Sequence, residues 1–153
     1  MTRKEELAVS TVSPQDVVRR IVEEGWNQHD LDAFDRLYAS TYINRDPTNP
    51  GSTDLESLKR AAAELFAAFP DFRVTIRDLI CEGEQVAKVW TVEGTQQGEI
   101  YGIAPSGRQV KFDGITMYRV VDGKVLECTW SADNLGFLQQ LGAIPMPDQA
   151  AVG

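Results

Sequence analysis

Asp133 is the residue of this sequence best placed by type and position for acid–base chemistry. It follows a strand-like segment over 125–132 and precedes a short helical segment that begins at Asn134. A carboxylate partly withdrawn from water has a raised pKa, so it can take up a proton and return it near neutral pH. Aspartate is also a favoured helix cap, and Asp133 could serve the helix at Asn134. The two roles are compatible, and the sequence leaves both open.

Arg119 is the second candidate, because its guanidinium can hold Asp133 or a substrate carbonyl although it cannot act as a base. A two-residue hairpin loop at 122–123 would turn Arg119 away from the face of Asp133. A three-residue loop over 121–123, with its glycine in a left-handed bulge, would place both on one face, and we predict this loop. A surface arginine paired with Glu127 is nearly as well supported.

The predicted hairpin separates two sheet faces of different character. One face mixes polar and apolar side chains and suits a binding pocket: Asp113, Ile115, Met117, Arg119, Glu127 and Asp133. The other face is too apolar to leave in water: Phe112, Tyr118, Val120, Leu126, Cys128 and Trp130. We interpret this second face as a homodimer interface.

The elements that must position these residues divide near Pro70. Before it, capping residues and helical spacing predict three helices, which begin after Ser13, after Asp30 and at the Thr53/Glu56 capping pair. After it, the apolar period falls to two, which predicts strands over 72–81, 86–95, 110–121 and 125–132, and then a helix over 134–141. Helices followed by antiparallel strands are typical of an α+β fold with its helices on one face of a curled sheet.

Composition and charge place the chain among ordinary globular proteins. Its 153 residues suit one core, and we expect a flexible arm over 1–13, one domain over 14–145 and a tail over 146–153. The formal net charge of -8 disfavours a nucleic-acid partner. No apolar run is long enough for a signal peptide or a membrane span, so we expect a cytoplasmic protein without a membrane partner.

Cysteine and histidine limit the metal and nucleophile chemistry. Cys81 and Cys128 lie far apart, and we interpret both as buried apolar residues of a reducing compartment, although the sequence alone leaves a bridge between them open. His29 is the single histidine, follows a helix break and is expected to be solvated. A multi-histidine zinc site and a Ser-His-Asp triad are therefore disfavoured.

The chain resembles the SnoaL-like polyketide cyclases of the nuclear-transport-factor-2-like superfamily. The resemblance rests on five stretches whose order and spacing are fairly specific: 68–71 (AFPD), 94–102 (GTQQGEIYG), 104–107 (APSG), 119–127 (RVVDGKVLE) and 130–142 (WSADNLGFLQQLG). With the helix that ends at Trp26 they cover about Val17 to Pro145.

The resemblance implies a cone-shaped α+β barrel, in which three N-terminal helices roof a curled, mostly antiparallel sheet around an enclosed pocket. It further implies a homodimer without metal or cofactor. Related enzymes close a ring of an aromatic polyketide by an intramolecular aldol reaction, and their acid–base residue corresponds to Asp133. A histidine that assists it corresponds to Arg119. The function implied is a polyketide cyclase-like enzyme of natural-product biosynthesis, such as antibiotic biosynthesis, with a small-molecule substrate.

The same resemblance implies substrate-binding positions. Trp26 and Asn44 match pocket positions of those cyclases, and Asp46 lies in the segment that lines the mouth of the fold, although Asp before proline is more typical of a turn. Gln96 stands where many relatives have histidine. Apart from the resemblance, Trp90 is a possible wall or orienting residue, but an aromatic residue on a strand is more often part of the core. Met117 is a binding candidate because it lies on the mixed face predicted to form the pocket.

Two alternatives to cyclisation stay open. The first is another cofactor-independent reaction on this fold, such as hydroxylation, epoxide opening or hydration, and epoxide opening would favour Asp133 paired with Asp46 or Asp113. The second is a non-catalytic module for small-molecule binding or dimerisation. That module predicts a packed interior, with Asp133 bonded only to the first amides of its helix.

Overall fold

The structure is a computed structural model that describes residues 12–46 and 53–145. Most of the expected arm, residues 47–52 and the expected tail over 146–153 lie outside the described residues. The boundaries expected for the domain therefore stay a prediction.

Four helices lie at the positions that capping and spacing predict. They are α1 (Pro14–Arg20), which continues as a π-helical segment (Ile21–Asn27), α2 (Leu31–Leu37), α3 (Leu55–Ala68) and α4 (Asn134–Gln140). Ser13 caps α1 and Asp30 caps α2, as expected. Asp54, and not Thr53, caps α3, because its carboxylate accepts from both the amide and the hydroxyl of Ser57, at 2.8 and 2.6 Å.

Five strands form one mixed sheet, in the order β1-β5-β4-β3-β2. They are β1 (Tyr38–Asn44), β2 (Arg73–Glu82), β3 (Gln85–Thr95), β4 (Gln109–Val121) and β5 (Lys124–Ala132). Only the β1–β5 pair is parallel in the described part of the chain. The predicted α+β architecture, with helices on one side of a mostly antiparallel sheet, is confirmed. The sheet is open and not a closed barrel, because β1 and β2 are its two edges.

The helices pack on the apolar face of the sheet and make the core with it. Tyr118, Val120, Val125 and Cys128 lie in one core cluster with residues of α1 and α2, such as Val17 and Phe34. The face interpreted from sequence as a dimer interface is therefore the core face. The prediction that this face is too apolar for water was right, but helices of the same chain cover it.

A bulge in β5 decides which side chains share a face. Asp122 and Gly123 form a two-residue turn with positive φ angles of 51° and 76°, and Val121 pairs directly with Lys124. Val120 pairs with Val125 but Arg119 pairs with Glu127, so Leu126 is the extra residue. The three-residue loop was wrong, and the predicted sharing of a face by Arg119 and Glu127 arises instead from this bulge.

Within the described ranges, no helix has the length and apolar character that a membrane crossing requires.

Candidate active site

Asp133 lies at the junction of β5 and α4 and is exposed, so the expected withdrawal of its carboxylate from water was wrong. Its N–H donates to the carbonyl oxygen of Asp113 at 3.0 Å, and its Oδ1 accepts from the N–H of Gly136 at 2.9 Å. The second bond is the helix cap that the sequence allowed. One carboxylate oxygen is therefore engaged by the cap, while Oδ2 has no hydrogen-bond partner among the described residues.

An open depression of about 410 Å³ surrounds Asp133 on the face of the sheet opposite to the helices. Its lining combines two carboxylates with small and apolar side chains: Val89, Asp113, Gly114, Ile115, Ser131, Ala132 and Asp133. This volume falls in the range of small-molecule sites. Asp133 therefore lines a candidate site, but an open one and not the enclosed pocket expected from the sequence.

Asp113 is held in this depression by a line of hydrogen bonds. Its Oδ1 accepts from the hydroxyl of Thr91 at 2.6 Å, and Arg77 Nη1 donates to the same Thr91 oxygen at 3.1 Å. Two carboxylates thus line one surface, with Asp113 fixed by its neighbours and Asp133 fixed by the cap.

Arg119 does not contact Asp133. It lies six residues along β4 from Asp113, a separation of roughly 20 Å at the usual rise of a strand. Its Nε faces Glu84 Oε1 at 3.5 Å, while Glu127 pairs with Arg45 at 3.3 Å. The expected contact between Arg119 and Asp133 is therefore wrong, and so is the expected ion pair between Arg119 and Glu127. Arg119 and Asp133 lie on the same face of the sheet, but at distant positions along it.

The other predicted binding residues are divided between the two sides of the sheet. Met117 is exposed with Arg119 on the face of the sheet opposite to the helices, which we call the outer face. Trp90 is buried on the helix-covered face, where its Nε1 donates to Thr116 Oγ1 at 2.9 Å. Trp26 belongs to an aromatic group in the core, with ring centroids 5.1 Å from Phe34 and 5.8 Å from Phe72.

Asn44, Asp46 and Gln96 are buried, and the side chains of Asn44 and Gln96 bond to backbone groups. Asn44 Oδ1 accepts from the N–H of Asp46 at 3.0 Å. Gln96 is fully buried: its Nε2 donates to the carbonyls of Gly98 and Ile103, and its Oε1 accepts from Ser106. Gln96 thus organises the loop over 96–106. The structure does not bring these three residues together with Asp133.

The interior under the helices is closely packed near α4. A void there holds about 10 Å³, roughly one water, and is lined by apolar side chains alone. They are Leu65, Phe69, Phe72, Val92, Gly94, Val110, Phe112 and Phe137. This void does not provide the enclosed pocket that the resemblance implied.

Lys88 is a chemically capable residue that the sequence analysis missed. It lies on β3 facing the helices and is only 3% exposed. Its Nζ donates to Tyr118 Oη at 2.7 Å and lies 5.1 Å from the centroid of the Tyr118 ring. The sequence could have indicated its burial, because Lys88 stands at an inward-facing position of the apolar alternation formed by Val86, Trp90 and Val92.

Burial determines the protonation of the groups around Lys88. It lowers the pKa of Lys88 to about 7, and the Cys128 thiol opposes this shift only in part. Burial raises the pKa of Cys128 to about 11, and it also raises the pKa values of Tyr38 and Tyr118. Lys88 is therefore the member of this group that titrates near neutrality.

His29 is half-buried, and the expectation that it is solvated was wrong. Its ring stacks on Phe66 with centroids 4.1 Å apart, and its Nε2 lies 3.1 Å from the carbonyl oxygen of Phe72. No three His, Cys, Asp or Glu side chains within 12–46 and 53–145 are grouped so as to hold a metal ion.

In a comparison with protein families, a family model described as SnoaL-like polyketide cyclase matches residues 16–141. The chain belongs to the SnoaL-like polyketide cyclase family. A search of curated proteins found no match.

Three solved structures of similar proteins share the fold over most of their length. AclR from Streptomyces galilaeus, described as a proposed hydroxylase, is 25% identical with a TM-score of 0.78, and the match covers 87% of each chain. IdmH from Streptomyces antibioticus, described as a proposed polyketide cyclase, is 30% identical with a TM-score of 0.76, covering 85% of this chain and 99% of IdmH. A proposed SnoaL-like polyketide cyclase from Jannaschia is 26% identical with a TM-score of 0.77, covering 86% and 93%.

Proposed function

We propose that this chain is a cofactor-independent enzyme of natural-product biosynthesis that cyclises an oxygenated, polyketide-like molecule by acid–base catalysis. The observation that carries the proposal is the position of Asp133, which lines a depression of about 410 Å³. Membership of a family of polyketide cyclases supports the type of reaction.

An intramolecular aldol closure requires one group that removes a proton and later returns one. Asp133 Oδ2 would take the proton from a carbon flanked by carbonyls, and that carbon would attack a second carbonyl of the same molecule. A carbon–carbon bond forms, and the new alkoxide recovers the proton, so the mass of the substrate is unchanged. Arg119 has no contact with Asp133 in this proposal, because the strand separates them.

The first test replaces Asp133 with Asn. Asparagine is an equally good helix cap, so Asp133→Asn should keep the fold while removing the base. We expect turnover to fall by at least about 100-fold. Asp122→Asn, at an exposed turn, is the matched control and should retain the wild-type rate. Full activity of Asp133→Asn would remove this residue from the mechanism.

Epoxide opening or hydration is a second candidate, because Asp113 and Asp133 line one depression. A reaction of this kind would use both carboxylates, so Asp113→Asn and Asp133→Asn should impair it equally. Cyclisation should depend on Asp133 more strongly. Mass spectrometry of the product separates the reactions, because hydration adds water, hydroxylation adds oxygen and cyclisation adds nothing.

A binding module without turnover is the third candidate, and two observations favour it. The void under the helices is very small, and the hydrogen bond accepted by the Asp133 carboxylate comes from an amide of its own helix. Binding of a polyketide to purified protein without chemical change would support this role and contradict the enzyme.

We also propose that the chain forms a homodimer through its outer sheet face. The inner strand β4 carries exposed Ile115 and Met117 on this face, Ile80 is exposed on the edge strand β2, and Arg119 and Glu84 supply both charges beside them. An apolar centre with both charges beside it suits a second copy related by a two-fold axis. Because the depression lies on this face, the second copy would cover it and exclude water.

A cytoplasmic location belongs to the same proposal. Cys128 is a buried free thiol as expected, but Cys81 is an exposed one, so its expected burial was wrong, and the two do not form a bridge with each other. An exposed free thiol suits a reducing compartment.

A further inference from the structure

The carboxylate of Asp133 lies against Gly136, in the place where any other residue would carry its Cβ. A Cβ built on Gly136 would overlap Asp133 Oδ2, and would lie 2.8 Å from its Cγ and 3.0 Å from its Oδ1. Unbonded carbon atoms pack at about 3.5–4.0 Å. Only glycine at this position therefore leaves room for the carboxylate where it now lies.

The cap of α3 shows that capping by itself does not require a glycine here. Asp54 also accepts from the N–H three residues on, at 2.8 Å, but that residue is Ser57, which carries a side chain. The caps of α1 and α3 have extended backbones, with ψ of 142° and 175°, whereas ψ of Asp133 is 72°. The need for Gly136 therefore belongs to the particular way in which Asp133 turns its carboxylate.

The backbone around this cap is held on β4 at two points. The Asp133 N–H donates to the carbonyl of Asp113 at 3.0 Å. Further along α4, Gln140 Oε1 accepts from the Lys111 N–H at 2.7 Å, and Gln140 Nε2 donates to the Lys111 carbonyl at 2.9 Å. A methyl group at position 136 would therefore displace the carboxylate, which rotates about its side-chain bonds, more readily than the helix.

We propose that Gly136 is a positioning residue of the candidate active site. Its missing side chain keeps the carboxylate in the orientation in which Asp133 both caps α4 and lines the depression. Glycine is the least favourable residue within a helix after proline, so this orientation costs α4 some stability. The inference rests on the proposed function, because the placement of the carboxylate matters to the reaction only if Asp133 is the base.

The first experiment tests whether the two residues are coupled, by thermal melting of the full chain as wild type, Gly136→Ala, Asp133→Ala and the double variant. In the Asp133→Ala background no carboxylate opposes the methyl group. Gly136→Ala should then raise the melting temperature by about 3 °C, because alanine favours the helix. In the wild type the same change also displaces the capping carboxylate, so we expect no rise. Equal rises in the two backgrounds would overturn the inference.

The second experiment follows the Asp133 side chain by NMR, through the three-bond couplings that report its χ1 angle. We expect χ1 to change in Gly136→Ala. Leu135→Ala, at an exposed neighbour in the first turn of α4, is the matched control and should keep the wild-type angle. If Gly136 served helix packing alone, χ1 of Asp133 would stay the same in Gly136→Ala, and this result would contradict the positioning role.

The third experiment separates positioning from binding. The probe is heptane-2,6-dione, whose intramolecular aldol reaction closes a six-membered ring. We expect Gly136→Ala to lower kcat by at least about 10-fold and to leave KM within about twofold, because a displaced base slows the chemistry more than it weakens binding. Leu135→Ala should keep both constants. A wild-type kcat in Gly136→Ala would mean that the reaction does not depend on this placement, against the inference.

These results separate the inference from the proposed function. Equal melting effects in both backgrounds, together with loss of rate in Asp133→Asn, would contradict the role of Gly136 alone. Unequal melting effects with full rate in Asp133→Asn would contradict the cyclisation at Asp133 alone. Melting and NMR need no substrate, so they decide the placement of the carboxylate even if the wild type does not close this ring.

Discussion

Lys88 links the stability of the protein to pH. Its pKa falls from 10.5 in the unfolded chain to about 7 in the fold. Between these values the unfolded chain binds more protons, so this residue makes the free energy of unfolding rise with pH. Below about pH 7 the penalty for burying the amine is complete, and it fades as the pH approaches 10.

Replacement of Lys88 by Met should remove this penalty. We expect Lys88→Met to raise the free energy of unfolding by ~4 kcal/mol near pH 6, with the gain shrinking steadily toward about pH 10. Urea unfolding at several pH values measures the difference. Lys111→Met, at an exposed position, is the control and should show no such trend. A gain independent of pH would mean that Lys88 stays charged when buried.

The candidate residues show where sequence patterns are informative. Asp133 could be located, because a carboxylate between a strand and a helix is conspicuous, and its capping bond was foreseen. The exposure of Asp133 could not be predicted, because strand parity does not tell which face of the sheet the helices cover. Lys88 was overlooked because a lysine in an apolar alternation is normally assigned to solvent, whereas here the helices close over it.

At the scale of elements, Asn27 joins the end of the π-helical segment to the edge strand β2. Its Nδ2 donates to the carbonyl of Val74 at 3.0 Å, and its Oδ1 accepts from the Val74 N–H at 2.7 Å. One amide thereby satisfies both backbone groups of a residue on an edge strand. The Asn27 side chain thus makes the two backbone hydrogen bonds that a neighbouring strand would otherwise make.

Asn27→Ala should leave both backbone groups of Val74 without their partner. We expect a loss of about 2 kcal/mol in the free energy of unfolding, with faster amide hydrogen exchange at Val74. Gln28→Ala, next along the chain and exposed, is the matched control and should change neither quantity by much. Unchanged exchange at Val74 would show that water replaces the amide at no cost.

Element boundaries were mostly predictable, since four strands begin and end within one residue of the positions given by alternation. Tyr38 was the exception. Its spacing from Phe34 fits a helix, but it pairs with Val125 as the first residue of β1. Pairing between distant segments leaves no local pattern, so the sequence could not show it.

At the scale of the whole molecule, the outer face is the surface that a second copy would occupy. We expect Ile115→Glu to convert a dimer into a monomer in sedimentation, because a buried unpaired carboxylate at an apolar centre opposes association. Tyr101→Glu, at an exposed loop residue, is the control and should leave the sedimentation unchanged. A wild-type chain that sediments as a monomer at high concentration would contradict the proposed interface.

The order of helices and strands was enough to predict the α+β fold, but not whether the sheet closes. Closure depends on the two edges, and β1 and β2 end on opposite sides of the molecule without pairing in the part described here. The assignment of the apolar face failed at the same scale. Apolar residues such as Tyr118 and Val120 showed that this face must be buried. They did not show whether helices of the same chain or a second copy would bury it.

The bulge at Leu126 makes this position tolerant of a change in chain length. Loss of Leu126 alone would let Glu127 follow Val125 directly and keep every later residue beside its present neighbour on β4. Loss or gain of one residue just beyond it would instead exchange inward and outward side chains as far as Asp133. Deletion of Leu126 should therefore preserve both faces of β5. Deletion of a residue just beyond it should exchange the two faces of the strand.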